Sequence, residues 1–285
     1  MKKFLFIFIV CFVFCGCSIK KDSMENITIY TSVYPTEYIA NRLYGEHSTI
    51  LSIYPDGVIP SHYSLNDKQI KDYSRANLFI FDGISNEKNY LKSMLKYNKD
   101  LKIIDATSNM EFTDYEEELW LDPANYLMLA RNIKVGFNEY IVNHYLKSEI
   151  EKNYESLKLD LSTLDAKLSV ISNSSNDPTI VVSSNMFKFL EKYGFNVISL
   201  DERSINDKTI YDVTSLINEG RIKYIFVINN SEISASIQKI IDETGVKTLC
   251  LNSLSNLSDS ERNNKSDYLS IMNENINLLK QELYD

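Results

Sequence analysis

Between Phe137 and Asn176 the chain carries neither glycine nor proline, and within that stretch Ile150, Tyr154, Leu157, Leu161, Leu164, Leu168 and Ile171 recur at spacings of four and three. Residues three and four apart share one face of a helix, so this spacing draws a narrow apolar stripe along a long, charged helix. A rod of that length cannot be hidden inside a small domain and has to lie along something. A dimeric coiled coil could use the same stripe, but it lasts only about three heptads and is flanked on both sides by globular sequence. A spine packed along two lobes of a monomer is the reading the spacing favours.

The flanks supply the lobes. Before the spine, Ile27 to Ser32, Ile50 to Tyr54, Leu78 to Asp82 and Leu101 to Ile104 read as strands, separated by helical stretches at Pro35 to Tyr44, Asn66 to Tyr73 and Lys88 to Tyr97. Asp122-Pro123 reads as a helix start, with Asp122 as N-cap, and that helix runs towards Tyr140. After Asp177-Pro178 a second series places strands at Thr179 to Ser183, Asn196 to Ser199, Tyr224 to Ile228 and Lys247 to Leu251. Helices are expected at Met186 to Tyr193, Thr209 to Glu219, Ser234 to Thr244 and Tyr268 to Leu283, with Gly194, Gly220 and Gly245 as their stops. Strands with little apolar–polar alternation belong to parallel sheets covered on both faces. The fold class is therefore α/β: two lobes, each a parallel four-stranded sheet flanked by helices, joined by a long backbone helix. A chain of 285 residues divides naturally in this way.

The N-terminus has a different job. Lys2-Lys3 precedes an almost continuously apolar run from Phe4 to Gly16, which ends in Phe14-Cys15-Gly16-Cys17. The run is short for a membrane span, which needs about 20 apolar residues, and has the plan of a secretory signal. Its end resembles a bacterial lipobox, with Cys17 as the lipidated residue because small Gly16 precedes it. A diacylglyceryl cysteine supplies the two acyl chains that stable membrane attachment requires. The expected organisation is a signal peptide over 1–16, a lipidated linker over 17–25, an N-terminal lobe over 26–138, the linking helix over 139–176 and a C-terminal lobe over 177–285. The mature chain would sit outside the cytoplasm, lipid-anchored to the bacterial cell membrane.

Charge and cysteine usage narrow the function. The 30 Lys and Arg residues against 39 Asp and Glu give a formal charge of -9, which argues against nucleic acid as a partner and leaves a cation as a plausible one. Loss of Lys2 and Lys3 with the signal would deepen that charge to -11. Of Cys11, Cys15, Cys17 and Cys250, only Cys250 would remain as a thiol, so no internal disulfide can form. There is no G-x-S-x-G elbow, no phosphate-binding glycine loop and no histidine paired with a nucleophile, so the chain does not read as an enzyme.

In open parallel sheets, ligands sit beyond the carboxyl ends of the strands. Those positions here carry Gly57 to Tyr63, Ser184-Asn185 and Asn252 to Ser255, while Tyr115 to Leu121 precedes the Asp122 helix. With Ser32 to Pro35, Ala76 to Gly83, Trp120-Leu121-Asp122-Pro123, Val181-Val182-Ser183, Glu243-Thr244-Gly245 and Asp267 to Met272, the sequence resembles the zinc- and manganese-binding solute-binding lipoproteins of ABC transporters. The resemblance implies one divalent ion, Zn or Mn, held in the cleft between the lobes and delivered to a membrane permease.

It also implies a ligand set, and this chain departs from the family pattern there. The first ligand histidine falls on His62. The second position falls on Glu118, the third on Ser184, and the last on Asn252, or on Ser255 in the register of the zinc branch. One imidazole, one carboxylate, a hydroxyl and an amide make a poor zinc site and shift preference towards Mn, Ca or Mg. Glu116, Glu117 and Asp56 are alternative donors. The same scaffold could instead have lost its metal and bind a small polar ligand through Tyr34, Tyr63, Tyr115, Asn185, Asn229 and Asn230, or serve as a surface adhesin. The residues also have structural readings. Ser184 and Asn252 are placed to cap helices, Trp120 to anchor a loop by packing, Cys250 to fill a core strand, and His47 and His144 lie at the surface.

Overall fold

Eight short strands pair into two separate sheets, and both sheets are wholly parallel. The computed structural model describes residues 22–84, 87–111, 118–229 and 232–284; the expected signal peptide and the Cys17 anchor lie outside the described residues. The first sheet holds β1 (Ile27–Thr31), β2 (Ser48–Ser52), β3 (Leu78–Phe81) and β4 (Lys102–Asp105) in the order β2-β1-β3-β4. The second holds β5 (Thr179–Val182), β6 (Asn196–Ser199), β7 (Tyr224–Ile228) and β8 (Lys247–Leu251) in the equivalent order β6-β5-β7-β8. Central β3 and β5 are buried at every position, as continuous apolar runs predict.

Helices cross between the strands: α1 (Tyr34–Tyr44), α2 (Asp67–Tyr73) and α3 (Glu87–Tyr97) in the first lobe, α6 (Asp207–Asn218) and α7 (Ala235–Thr244) in the second. Two more, α8 (Asp259–Asn263) and α9 (Tyr268–Tyr284), complete the chain. Gly194 and Gly245 end their segments in the left-handed conformation that glycine enters without strain.

Between the lobes run α4 (Pro123–Tyr140) and α5 (His144–Asn173). Asp122 caps α4 by accepting from Ala124 N–H, and Asn143 caps α5 by accepting from Tyr145 N–H. All seven stripe residues of α5 are buried. On the N-terminal side α5 receives Arg42 at Asp160 (2.7 Å), His47 at Glu149 (2.8 Å) and Lys134 at Glu151 (3.0 Å). On the C-terminal side Tyr193 reaches Asp165 (2.7 Å) and Tyr284 donates to the Ile171 carbonyl. The spine therefore packs along both lobes.

Three expectations change in detail. β2 starts at Ser48 rather than Ile50, because it pairs in register with β1 from Ile27 onward. Asn185–Tyr193 forms 3₁₀ turns rather than an α-helix. Cys250 is exposed, since β8 is an edge strand, and it fills no core.

A single buried cluster extends from Ile29 in the first sheet through Trp120, Tyr126 and the α5 stripe to Ile180 and Phe226 in the second. The lobes are also tied by charge. Arg262 of α8 reaches back to Glu37 of α1 with both terminal nitrogens (2.6 and 2.7 Å) and to Asp56 through Nε (2.8 Å). Glu37 is only 6% exposed, so removing its partner strands a buried carboxylate. Arg262→Met is expected to cost about 3 kcal/mol in urea denaturation, and Arg262→Lys to recover only part of it because an ammonium lacks the planar fork. A change within experimental error for Arg262→Met would contradict this account of the seam.

Candidate functional site

Because both sheets are parallel, each gathers the loops after its strands at one end, and the two ends open on a shared cavity of ≈ 470 Å³. From the first lobe the loop after β2 contributes Gly57, Ser61 and His62, and Glu118 enters just before α4. From the second come Met186 after β5, Asn229 and Glu232 after β7, and Ser253, Ser255 and Asn256 after β8. An adjoining cavity of ≈ 270 Å³ shares Ser61, Glu118 and Ser255 and adds Asp82 and Trp120.

The rim is held by hydrogen bonds that cross between lobes. Asn256 Nδ2 donates to the carbonyls of Pro55 (2.6 Å) and Val58 (3.0 Å), and Gly57 N–H donates to the Leu257 carbonyl (2.7 Å). Trp120 Nε1 donates to the Ser253 carbonyl (2.7 Å), and the Tyr268 hydroxyl donates to the Trp120 carbonyl. The indole thus anchors the loop after β8 from below by a hydrogen bond as well as by packing. Lys192 and Tyr193 close a second inter-lobe contact on Asp122.

Of the ligand positions reached from sequence, His62 and Glu118 line the cavity together, and Ser255 joins them. The His62 side chain is exposed and has no hydrogen-bond partner among the described residues. Ser184 and Asn252 are not among the lining residues. Ser184 is buried, and its hydroxyl caps the following turns by accepting from Met186 N–H (3.3 Å). Asn252 caps no helix; its Oδ1 accepts from Leu254 N–H (2.8 Å) and its Nδ2 donates to Glu261 (2.5 Å). That turn lets Leu254 take a left-handed φ of 59° while fully buried. Asp56 is committed to Arg262, and Glu116 and Glu117 lie outside the described residues, as do Tyr115 and Asn230. Of the polar residues considered for an organic ligand, Asn229 lines the cavity, whereas Asn185 bonds Ser204 and Tyr63 bonds Gln69.

Glu232 was not reached from sequence. It belongs to no motif; only its place beyond the carboxyl end of β7 marks it. Elsewhere among the described residues, Glu46, His47 and Glu149 bring potential ligand atoms within 4.8 Å of one another. They lie where β2 begins, at the other end of the sheet from the cavity, with His47 Nε2 bonded to Glu149.

The sequence model of the family described as zinc-uptake complex component A periplasmic (ZnuA) matches residues 29–282. The zinc-binding lipoprotein AdcA of Streptococcus pneumoniae is 22% identical over 93% of this chain, which spans 58% of that protein's length. The manganese-binding lipoprotein MntA of Halalkalibacterium halodurans is 23% identical over 80% of this chain and 81% of its own. Among solved structures, the Zn(II)-bound ZnuA-like domain of S. pneumoniae AdcA superposes with a TM-score of 0.75 at 21% identity, covering 91% of this chain and all of that domain. The metal-dependent lipoprotein YcdH of Bacillus subtilis does so with a TM-score of 0.76 at 19% identity, covering 91% of this chain and 100% of its own.

The adjoining cavity is lined by Asp82, one of a pair of buried carboxyl groups. Asp82 follows β3, is 2% exposed and faces Glu87, which is fully buried and accepts from the Tyr54 hydroxyl (3.1 Å). Gly83 makes the turn between them possible: its φ is 76°, and a Cβ there would stand 2.2 Å from Thr107 Oγ1. Burial raises the Asp82 carboxyl well above the usual range, and the nearby charge and hydrogen bond of Glu87 raise it further. A raised folded-state value contributes stability that is complete below the unfolded value of about 3.9 and is lost as pH rises through the folded one. Asp82→Asn is therefore expected to raise the melting temperature at pH 8, by about 2–4 °C for each kcal/mol regained, with the gain vanishing towards pH 4. Equal or lower stability of the variant at pH 8 would contradict the assignment.

Proposed function

Since the chain belongs to the ZnuA family of zinc-uptake complex components, we propose that it is the extracytoplasmic receptor of an ABC metal importer and takes one divalent cation, Zn²⁺ or Mn²⁺, into the cavity between its lobes. The observation that carries this reading is the convergence of His62 and Glu118 on one cavity from two separate loops. An imidazole and a carboxylate are ligands that both metals accept. The acidic charge of the chain raises the local concentration of cations around such a cavity.

In this reading Ser184 and Asn252 hold the loops behind the cavity rather than coordinate, and Ser255, whose hydroxyl bonds Ser253, lines it. The oxygen-rich lining suits Mn²⁺ better than a four-coordinate nitrogen and sulfur site would. Cys17 would carry the lipid that holds the receptor at the membrane, next to the permease that accepts the ion. No helix of the described residues is long and apolar enough to cross a membrane. The receptor binds its cargo and passes it on unchanged, and performs no catalysis.

A ligand bound only by the native state adds RT ln(1 + [L]/Kd) to stability, about 2.7 kcal/mol at a hundredfold excess over Kd. At that excess, Zn²⁺ or Mn²⁺ is expected to raise the melting temperature of the purified chain by about 5–10 °C, with one equivalent of metal by elemental analysis. No shift with either metal, together with an empty protein, would overturn the reading.

A further inference from the structure

We infer that Glu232 is the metal ligand supplied by the C-terminal lobe, at a position in the loop after β7. The inference rests on the reading of the cavity as a cation site and names the donor that completes it. His62 and Glu118 both come from the first lobe. A metal held by these two alone would be under-coordinated and would leave the second lobe without a part in binding.

The second lobe has few groups able to take that part. Ser184 and Asn252 are engaged in the fold. The hydroxyls of Ser253 and Ser255 bond each other (3.2 Å), and Asn229 Oδ1 already accepts from Ser253 N–H (2.8 Å). Glu232 is the one acidic side chain that the described residues of this lobe bring to the cavity. It is exposed and has no hydrogen bond or ion pair among the described residues.

Topology and charge support the same residue. The order β6-β5-β7-β8 reverses between β5 and β7, and the crevice beyond the strand ends at such a reversal is where open parallel sheets hold ligands. Glu232 follows β7, one of the two strands that flank that reversal. Two carboxylates balance the charge of a divalent ion, so the loaded site would be neutral, whereas Glu118 alone would leave a net positive charge in a partly desolvated cleft. The His62, Glu118 and Glu232 donor atoms do not all lie within 4.8 Å of one another. Coordination by all three therefore requires the exposed Glu232 side chain to approach His62 and Glu118.

The test is calorimetric titration of Zn²⁺ and of Mn²⁺ into the purified chain and its Glu232→Gln, His62→Ala and Glu243→Gln variants, with melting temperatures measured without metal. Glu243 is a surface carboxylate of the same lobe and serves as the control. Glu232→Gln is expected to weaken binding at least tenfold while melting without metal as the unaltered chain does, and Glu243→Gln to bind normally. Unaltered affinity in Glu232→Gln, with binding lost in His62→Ala, would overturn the role of Glu232 and leave the proposed function standing. Absence of binding by the unaltered chain would overturn both.

Discussion

The segment that leaves β8 is fastened across to the other lobe, and the shape of the site follows from that fastening. Trp120 N–H reaches the Ser253 carbonyl, Tyr268 reaches the Trp120 carbonyl, and Asn256 takes the carbonyls of Pro55 and Val58. Each is a buried or half-buried polar group whose loss would leave its partner unsatisfied, at about 1–3 kcal/mol apiece. They sit beside an apolar cluster that continues through α5 and the stacked rings of Tyr126 and Tyr268. Two lobes joined in this way do not swing widely apart, because opening would expose a shared core. Small displacements of surface loops remain the available motion.

Function follows from parallel topology. Once each sheet is parallel, all its strands finish at one end, and the α5 spine sets the two finishing ends opposite each other. His62 and Glu118 are 56 positions apart in sequence, yet both reach the same cavity. The first lobe supplies an imidazole and a carboxylate, while the second supplies hydroxyls, an amide and Glu232. Such a mixed oxygen-rich lining departs from the ligand set that the family resemblance implies, and it shifts the weight of specificity onto charge and coordination number.

Much of the architecture could be read from residues alone, because its determinants are periodic or local. The α5 stripe, the Asp122-Pro123 helix start and the glycine stops are short-range signals that packing had no reason to override. The mostly apolar runs of β3 and β5 announced strands covered on both faces. What could not be read was the position of strands within a sheet: Cys250 looked like core, but the place of β8 at the edge leaves it exposed. In the site, His62 and Glu118 were legible by their motifs, whereas the engagement of Asn252 by Glu261 and Leu254 depends on a loop conformation that spacing does not encode. Glu232 carries no motif at all. A rule about strand ends could have found it, since Asn229 and Asn230 of the same loop are read as residues for a polar ligand.

The central claim is that the cavity between the two sheets holds a divalent cation. Crystals of the chain grown with Mn²⁺ or Zn²⁺, measured at the absorption edge of that metal, test it directly. The account predicts one strong anomalous peak in the cavity, about 2.0–2.2 Å from a His62 ring nitrogen and from a Glu118 carboxylate oxygen. A cavity without a peak in metal-containing crystals, or a peak found only at Glu46, His47 and Glu149, would contradict it.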